Sequence, residues 1–421
     1  MHAPMPPDDE DRINSLAVVL PLAVVGFVLA AACWSLFSVA GVYLRQALAL
    51  GDVAFGLLLS VPMASGALLA IPAGLAARRY GARRVMMACL AGLFLCMLSL
   101  MLVDSLPGYL VAGAGLGLAG GYYSAGLQFV MSHAPDRHAG LVLGLFGAGI
   151  TGVGLSYYLV PLVLDAFQWA VLPLAYLILL ALLLALVVML TAEEDVGDGE
   201  AAGVTSGPLL AGPPGQWHDV VWFGIVAGSL LALALWLPDY LSSLYQLPVQ
   251  AGAGVALWFV VPGALAQIPG GWLADRLGSY PVVSQALVAA LIALFLLSYP
   301  PMTLVIQAAE SPIHIDFTLP LALETGLVVL LGVTLGCAMI GLQRKIILAY
   351  PAPPALVAGV LLVSACSVAF LLPLMFSVAN HWLGIRSTTF MILFVVLTGS
   401  LLMFLRDHRR REREKLLHQG I

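Results

Sequence analysis

The sequence predicts an all-α integral membrane protein with twelve transmembrane helices in two pseudo-symmetric six-helix halves. Two observations predict it. Of 421 residues, 62% are hydrophobic and only 9% charged, against roughly 25% charged in a soluble domain that must cover its surface for water. One segment is also written twice: G-A-L-A-Q-I-P-G-G-W-L-A-D-R-L-G at 263–278 repeats G-A-L-L-A-I-P-A-G-L-A-A-R-R-Y-G at 66–81, with nine of sixteen positions identical at an offset of 197 residues.

The elements follow in order. A span needs about 20 apolar residues at 1.5 Å rise each, and runs of that kind fall at about 15–43, 53–76, 85–104, 108–132, 139–164, 168–191, 219–240, 250–274, 281–299, 321–343, 354–378 and 386–405. Hydrocarbon forces every backbone polar group to bond internally, and unbroken apolar runs without barrel-type alternation choose helices over strands. The first run is a span and not a cleaved leader, because Asp8-Asp9-Glu10-Asp11 is acidic where a secretory signal is basic. Between the sixth and seventh runs, residues 192–217 are rich in Gly, Pro and acid and lack Lys and Arg, which reads as a cytoplasmic linker. The domains are therefore an N-terminal tail (1–14), a first half (15–191), the linker, a second half (218–405) and a basic tail (406–421). That tail reads either as a disordered basic tail or as a short helix on the inner leaflet held by anionic lipid. In the long external loop at 300–320, the alternation of I-H-I-D-F and the Ser311-Pro312 turn predict a small hairpin.

Basic residues stay on the cytoplasmic side. With both termini inside, fifteen of the seventeen Lys and Arg fall there, leaving Arg45 and Arg386 outside. An inner-membrane location and a monomer follow as expectations. The five cysteines all lie inside apolar runs without a CxxC, so neither a disulfide framework nor a metal site is expected. No cofactor and no nucleic-acid partner is expected. The absence of an ATP loop, an HExxH and a nucleophile–base pair argues against an enzyme.

Two halves with the same hydropathy and motif, both starting inside, are parallel repeats about an axis along the membrane normal. The repeated loop, G-G-W-L-A-D-R-L-G at 270–278, resembles the loop motif of the major facilitator superfamily; the first copy, G-L-A-A-R-R-Y-G-A-R-R at 74–84, departs from it with Arg78 in place of aspartate. The resemblance implies a gating loop made of Gly74, Arg79 and Gly81 in one half and Gly271, Asp275, Arg276 and Gly278 in the other. There the aspartate caps a neighbouring helix while the arginine makes charge contacts.

Further stretches resemble the nitrate/nitrite porter branch: C-W-S-L-F-S-V at 33–39, G-L-A-G-G-Y-Y-S-A-G-L-Q-F-V at 117–130, G-L-V-L-G-L-F-G-A-G-I-T-G at 140–152 and W-L-P-D-Y-L at 236–241. Gly120, Gly121, Gly147, Gly149 and Gly152 would let helices approach closely. In that branch two arginines hold the anion, and the resemblance places Ala70 and Gln267 at those positions, with Ile150 where an asparagine is common. No charged residue or histidine stands in the middle third of any predicted span, although midplane charges are usually kept for function. A neutral path is what remains: Trp34, Ser38, Ala70, Tyr123, Gln128, Thr151 and Gln267 are the substrate-path candidates, with Ser35, Ser65, Tyr122, Ser229 and Gln343 near them.

The reading is a transporter of a small solute by alternating access, working by exchange or facilitated diffusion because no proton relay appears. Its partners would be a small-molecule or small-anion substrate and membrane lipids. Two alternatives stand beside it: a nitrate/nitrite exchanger without the usual arginines, and a carrier-like sensor or scaffold that no longer transports.

Overall fold

The computed structural model describes residues 9–190, 216–299, 302–306, 313–317, 319–350, 352–383 and 385–418. Of the expected tail at 1–14, residues 1–8 lie outside the described residues and the rest belongs to the first helix; nearly all of the acidic linker also lies outside them. In chain order, α1 runs Asp9–Trp34 and resumes as Leu36–Ala47, α2 is Asp52–Tyr80, α3 is Ala82–Leu100, and α4 is Leu106–Gly115 followed by Leu118–Met131. Then α5 joins Ala139–Gly147 to Gly152–Leu164 through a 3₁₀ turn at Ala148–Thr151, and α6 is Val171–Leu190. The second half holds α7 (Gln216–Leu244), α8 (Val249–Leu265 and Gln267–Leu277), α9 (Ser279–Leu297), α10 (Leu321–Ala349), α11 (Pro354–Leu383) and α12 (Thr388–His418).

Eleven of these are long and apolar enough to cross a membrane as single helices. The twelfth, α4, is divided at Leu116–Gly117, so neither piece reaches the length on its own. The predicted external hairpin is present: β1 (Met302–Ile306) pairs antiparallel with β2 (Ile313–Phe317), Leu304 opposite Ile315. The basic tail does not leave the bundle as a separate element, because α12 continues unbroken to His418.

Four spans are interrupted near their middle, and each interruption has a chemical cause. At Ser35 the hydroxyl shares the Ala31 carbonyl with its own backbone N–H (2.9 and 3.0 Å), and the hydroxyl and N–H of Ser38 both turn back to the Ser35 carbonyl (2.6 and 2.9 Å), local back-bonding of the kind that bends helices. The break in α8 falls at Ala266, and Pro269, four residues after Leu265, has no N–H to give its carbonyl. In α4 and α5 the breaks fall among Gly113, Gly115 and Gly117, and among Gly147, Gly149 and Gly152, where helix propensity is lowest short of proline. Broken backbone at membrane depth is tolerated only inside protein or beside a cavity, and the breaks in α1 and α5 line one, at Ser35 and Ile150.

The internal repeat extends to the backbone. The turn after α1 has Ala49 at φ 49° and the turn after α7 has Gln246 at φ 52°, a spacing of 197; Gly81 (φ 90°) and Gly278 (φ 86°), after α2 and α8, keep the same spacing. Left-handed residues other than glycine are uncommon, so the Ala49 and Gln246 pair is specific. Beyond the hairpin the offset becomes 215: Gly126-Leu127-Gln128 in α4 matches Gly341-Leu342-Gln343 in α10. The difference, 215 minus 197, is an insertion of 18 residues, and it coincides with the loop that contains the hairpin.

Across the seam between the halves, α2 packs along α11 and α5 along α8, the two most extensive inter-half contacts. The window that defines α7 is 89% buried, against 39% for α6 and for α12; α7 is therefore central and the other two face lipid.

Candidate functional site

A cavity of about 40 Å³ lies on the seam, walled equally by the two halves. At roughly 10–15 Å³ per water, it has room for about three. From the first half come Phe27, Trp34, Ser35, Met63, Tyr123 and Ile150, and from the second Phe223, Leu231, Met339 and Leu362, among others. No charged side chain is among the described lining residues.

Its aromatic wall is held from behind. The Trp34 indole donates to the Pro62 carbonyl at 2.8 Å, and the ring lies against Gly66, where a Cβ would sit 2.7 Å from it. Phe27, Tyr123 and Phe146 form a cluster with centroids 5.1–5.6 Å apart. The Tyr123 hydroxyl accepts a bond from Gln343 Nε2 at 2.7 Å.

Of the sequence-predicted path residues, Trp34 and Tyr123 line this cavity. Ser38, Ala70, Gln128, Thr151 and Gln267 lie off it. Ser38 is fully buried against its own helix. Ala70 is buried where α2 meets Gly359 of α11. Thr151 is half-buried in the 3₁₀ turn beside Ile150. Gln267 is fully buried, donates from Nε2 to the Gly147 carbonyl at 3.2 Å, and leaves Oε1 without a partner among the described residues. Its backbone carbonyl faces Gly144 as the Ala70 carbonyl faces Gly359, and Gly144 and Gly359 are counterparts at the 215 offset.

Contacts across the seam bracket the cavity on both sides. On the predicted cytoplasmic side, Asp275 accepts from the second and third backbone amides of α5, Gly140 N at 3.0 Å and Leu141 N at 2.9 Å. A carboxylate at a helix N-terminus meets unpaired amides and the positive end of the helix dipole. The charge contact to Asp275 comes from Arg344 of α10, whose Nε stands 2.6 Å away. Arg276 instead stacks on Trp272, 4.0 Å from the ring centroid, and Arg79 lies over Tyr80 at 5.3 Å. Backbones meet at Gly271, where a Cβ would come within 2.0 Å of the Gly140 carbonyl, and at Gly74, where one would come within 2.6 Å of the Ala355 carbonyl. Gly152 lets α5 cross α1, Gly149 faces Phe27, Gly147 faces Gln267, and Gly120 and Gly121 pack against Leu362 and Cys89.

The first half has an equivalent cap from a different residue. Ala355 N, the counterpart of Gly140 N at the 215 offset, donates to Gln128 Oε1 at 3.0 Å. Position 78 would be the counterpart of Asp275 at the 197 offset, and it holds arginine. The cap therefore comes from α4 and is neutral. Gln128 was read in the sequence as a path residue, yet it sits at the rim and ties the halves together.

On the opposite side, Arg45 of α1 holds Asp239 of α7 with two bonds, 3.0 and 3.1 Å, and also pairs with Asp52 of α2. His381 of α11 approaches Asp52 at 3.9 Å. Nearby, Glu324, 1% exposed, meets the Tyr245 hydroxyl, whose single proton is shared between that carboxylate and the Leu319 carbonyl 2.8 Å away. Burial, reinforced by the neighbouring Glu324, raises the pKa of Tyr245 and keeps it a neutral donor. Sequence reasoning passed over Asp239, Glu324 and Arg344 because it searched the middle of each span. The signal available was a charged residue one or two turns inside a span end.

Compared with known proteins, residues 22–371 match the family model described as Major Facilitator Superfamily. Among curated relatives, a protein of Thermus thermophilus named "Probable nitrate/nitrite antiporter NarK1" is 27% identical over 418 residues, covering 94% of this chain and 92% of its own. The nitrite extrusion protein of Bacillus subtilis is 26% identical over 292 residues, covering 69% and 73%. Among solved structures, the human organic anion transporter MFSD10 aligns with TM-score 0.68 at 17% identity, covering 92% of this chain and 99% of its own. A bacterial homologue of the lysosomal transporter Spinster, in an inward-facing unoccupied conformation, aligns with TM-score 0.69 at 15% identity over 94% and 97%.

Proposed function

The chain belongs to the major facilitator superfamily, and from that premise we propose that it carries a small uncharged solute across the membrane by alternating access, through exchange or facilitated diffusion. One observation supports this most: an apolar cavity on the seam is shared by both halves and bracketed by cross-half contacts on either side. Rocking the halves would open one bracket while the other stays closed. The walls favour a neutral solute, since an anion brought into an apolar cavity without a cation forfeits several kcal/mol of hydration. Tyr123 and Trp34 offer faces for packing. Gln343, bonded to the Tyr123 hydroxyl of the wall, leaves its Oε1 unpartnered among the described residues, an acceptor that matches a solute bringing N–H or O–H groups better than an oxyanion, which brings none.

The reading extends to an inner-membrane monomer with both termini in the cytoplasm, contacted by lipids. A second reading, exchange of nitrate or nitrite, is favoured by the names of the relatives above. Counterflow into proteoliposomes separates the two. The native protein is expected to accelerate urea and formamide exchange and leave nitrite exchange at background, and Ala31→Phe, which fills the cavity, should abolish the neutral flux. Nitrite exchange by the native protein would establish the second reading. No flux of either kind would return the chain to the scaffold alternative.

A further inference from the structure

Where α12 leaves the bundle, one stripe of its surface changes character. Leu402, Leu405, Arg406, Arg409, Arg410 and Arg413 recur at spacings of three and four residues and line a single open groove of about 490 Å³. Residues so spaced stand on one helix face. The upper part of the stripe faces the region that lipid fills: Leu402 is 63% exposed and its neighbour Met403 66%. The lower part is four exposed guanidinium groups within two turns, at the level where the apolar span ends. On the other face of the helix, Phe404 packs edge-on against Trp222, which fixes the direction in which the stripe points.

We propose that this stripe is a binding site for an anionic phospholipid, with its phosphate on Arg406, Arg409, Arg410 and Arg413 and an acyl chain along Leu402 and Leu405. Guanidinium groups form paired, charge-assisted bonds to phosphate oxygens. Each basic residue at a membrane surface adds to the attraction for anionic lipid. The apolar continuation selects a lipid over a free phosphate, which has nothing to place beside Leu402. A zwitterionic lipid would bring its own cation against the arginines, so phosphatidylglycerol and cardiolipin fit and phosphatidylethanolamine does not. The site is independent of what the carrier transports.

The experiment uses the full chain in nanodiscs of phosphatidylcholine doped with phosphatidylglycerol, cardiolipin or phosphatidylethanolamine, with lipids that stay bound after ejection into a mass spectrometer counted. The native protein should retain the anionic lipids at least about tenfold over phosphatidylethanolamine, and high salt should erase most of that preference. The variant R406Q/R409Q/R410Q/R413Q should lose it, and the four-lysine variant should keep much of it; thermal unfolding in phosphatidylcholine alone checks that both are folded. Equal retention of all three lipids by the native protein overturns the proposal, as does a preference that high salt leaves intact. The acidic linker is the competing occupant. If anionic lipid is retained only after Glu193, Glu194, Asp195, Asp198 and Glu200 are neutralised, the linker fills the groove and the lipid site is wrong.

Discussion

At Gly152 a Cβ would lie 1.7 Å from the Val28 carbonyl, and at Gly271 one would lie 2.0 Å from the Gly140 carbonyl. The two clashes look alike and have different consequences. Gly152 joins α5 to α1 inside one half, so nothing relieves the clash except distortion of that half. Gly271 joins α8 to α5 across the seam, where separation of the halves relieves it. Gly152→Ala should lower the unfolding temperature, corresponding to overpacking of about 1–3 kcal/mol, as read by thermal unfolding in detergent. Gly271→Ala should leave unfolding nearly unchanged and instead raise labelling of a cysteine placed at Leu141 by a membrane-impermeant reagent. Equal loss of stability in both would mean that the seam does not open at this level.

Helix ends, more than helix bodies, distinguish the two halves. α5 begins on a carboxylate, Asp275, reinforced by Arg344, while α11 begins on the neutral amide of Gln128. The first latch has charge-assisted bonds, roughly twice as strong as neutral ones. Gln128→Ala should weaken the rim contact by about 0.5–2 kcal/mol, the usual worth of a cap, and Gln128→Glu should strengthen it by adding a charge at a helix N-terminus. Distances between spin labels on the rim ends of α4 and α11 should then lengthen in Gln128→Ala and shorten in Gln128→Glu; the same direction of change in both would exclude a capping role. This element was hard to read in the chain. The twelve spans and the hairpin were legible because charge-free runs and alternation are local signals. The role of Gln128 was hidden because its match to Gln343 appears only after the repeat offset moves from 197 to 215. The pairing of Asp275 with Arg344 crosses 69 positions and leaves no local trace. The mid-span breaks at Ser35 and Ala266 were equally silent, since Ser and Pro inside an apolar run are ordinary in membrane helices.

For the whole molecule, the bracket at Arg45 is built from ions and the opposite rim from one ionic and one neutral cap. Arg45 and Asp239 belong to different halves, so their bond exists only while that side of the seam, the predicted outer one, is closed. Asp239→Asn and Arg45→Gln should each bias the carrier toward outward opening, and the exchanged pair R45D/D239R should recover part of the closure. A double-mutant cycle on external accessibility should give a coupling of about 0.5–3 kcal/mol, the range for contacting residues. A coupling near zero would show that the pair only decorates the rim.

The placement of charge has one more consequence, in the electrical domain. The ionic contacts described between the halves stand at the rims, and none of the described residues that wall the cavity is charged. A fixed charge carried across the full membrane field exchanges about 2.3 kcal/mol per 100 mV with it. Rocking a seam whose centre has none moves almost no protein charge through that field. With an uncharged cargo the cycle is electrically silent, and its direction is set by the solute gradient alone, whatever potential the cell maintains.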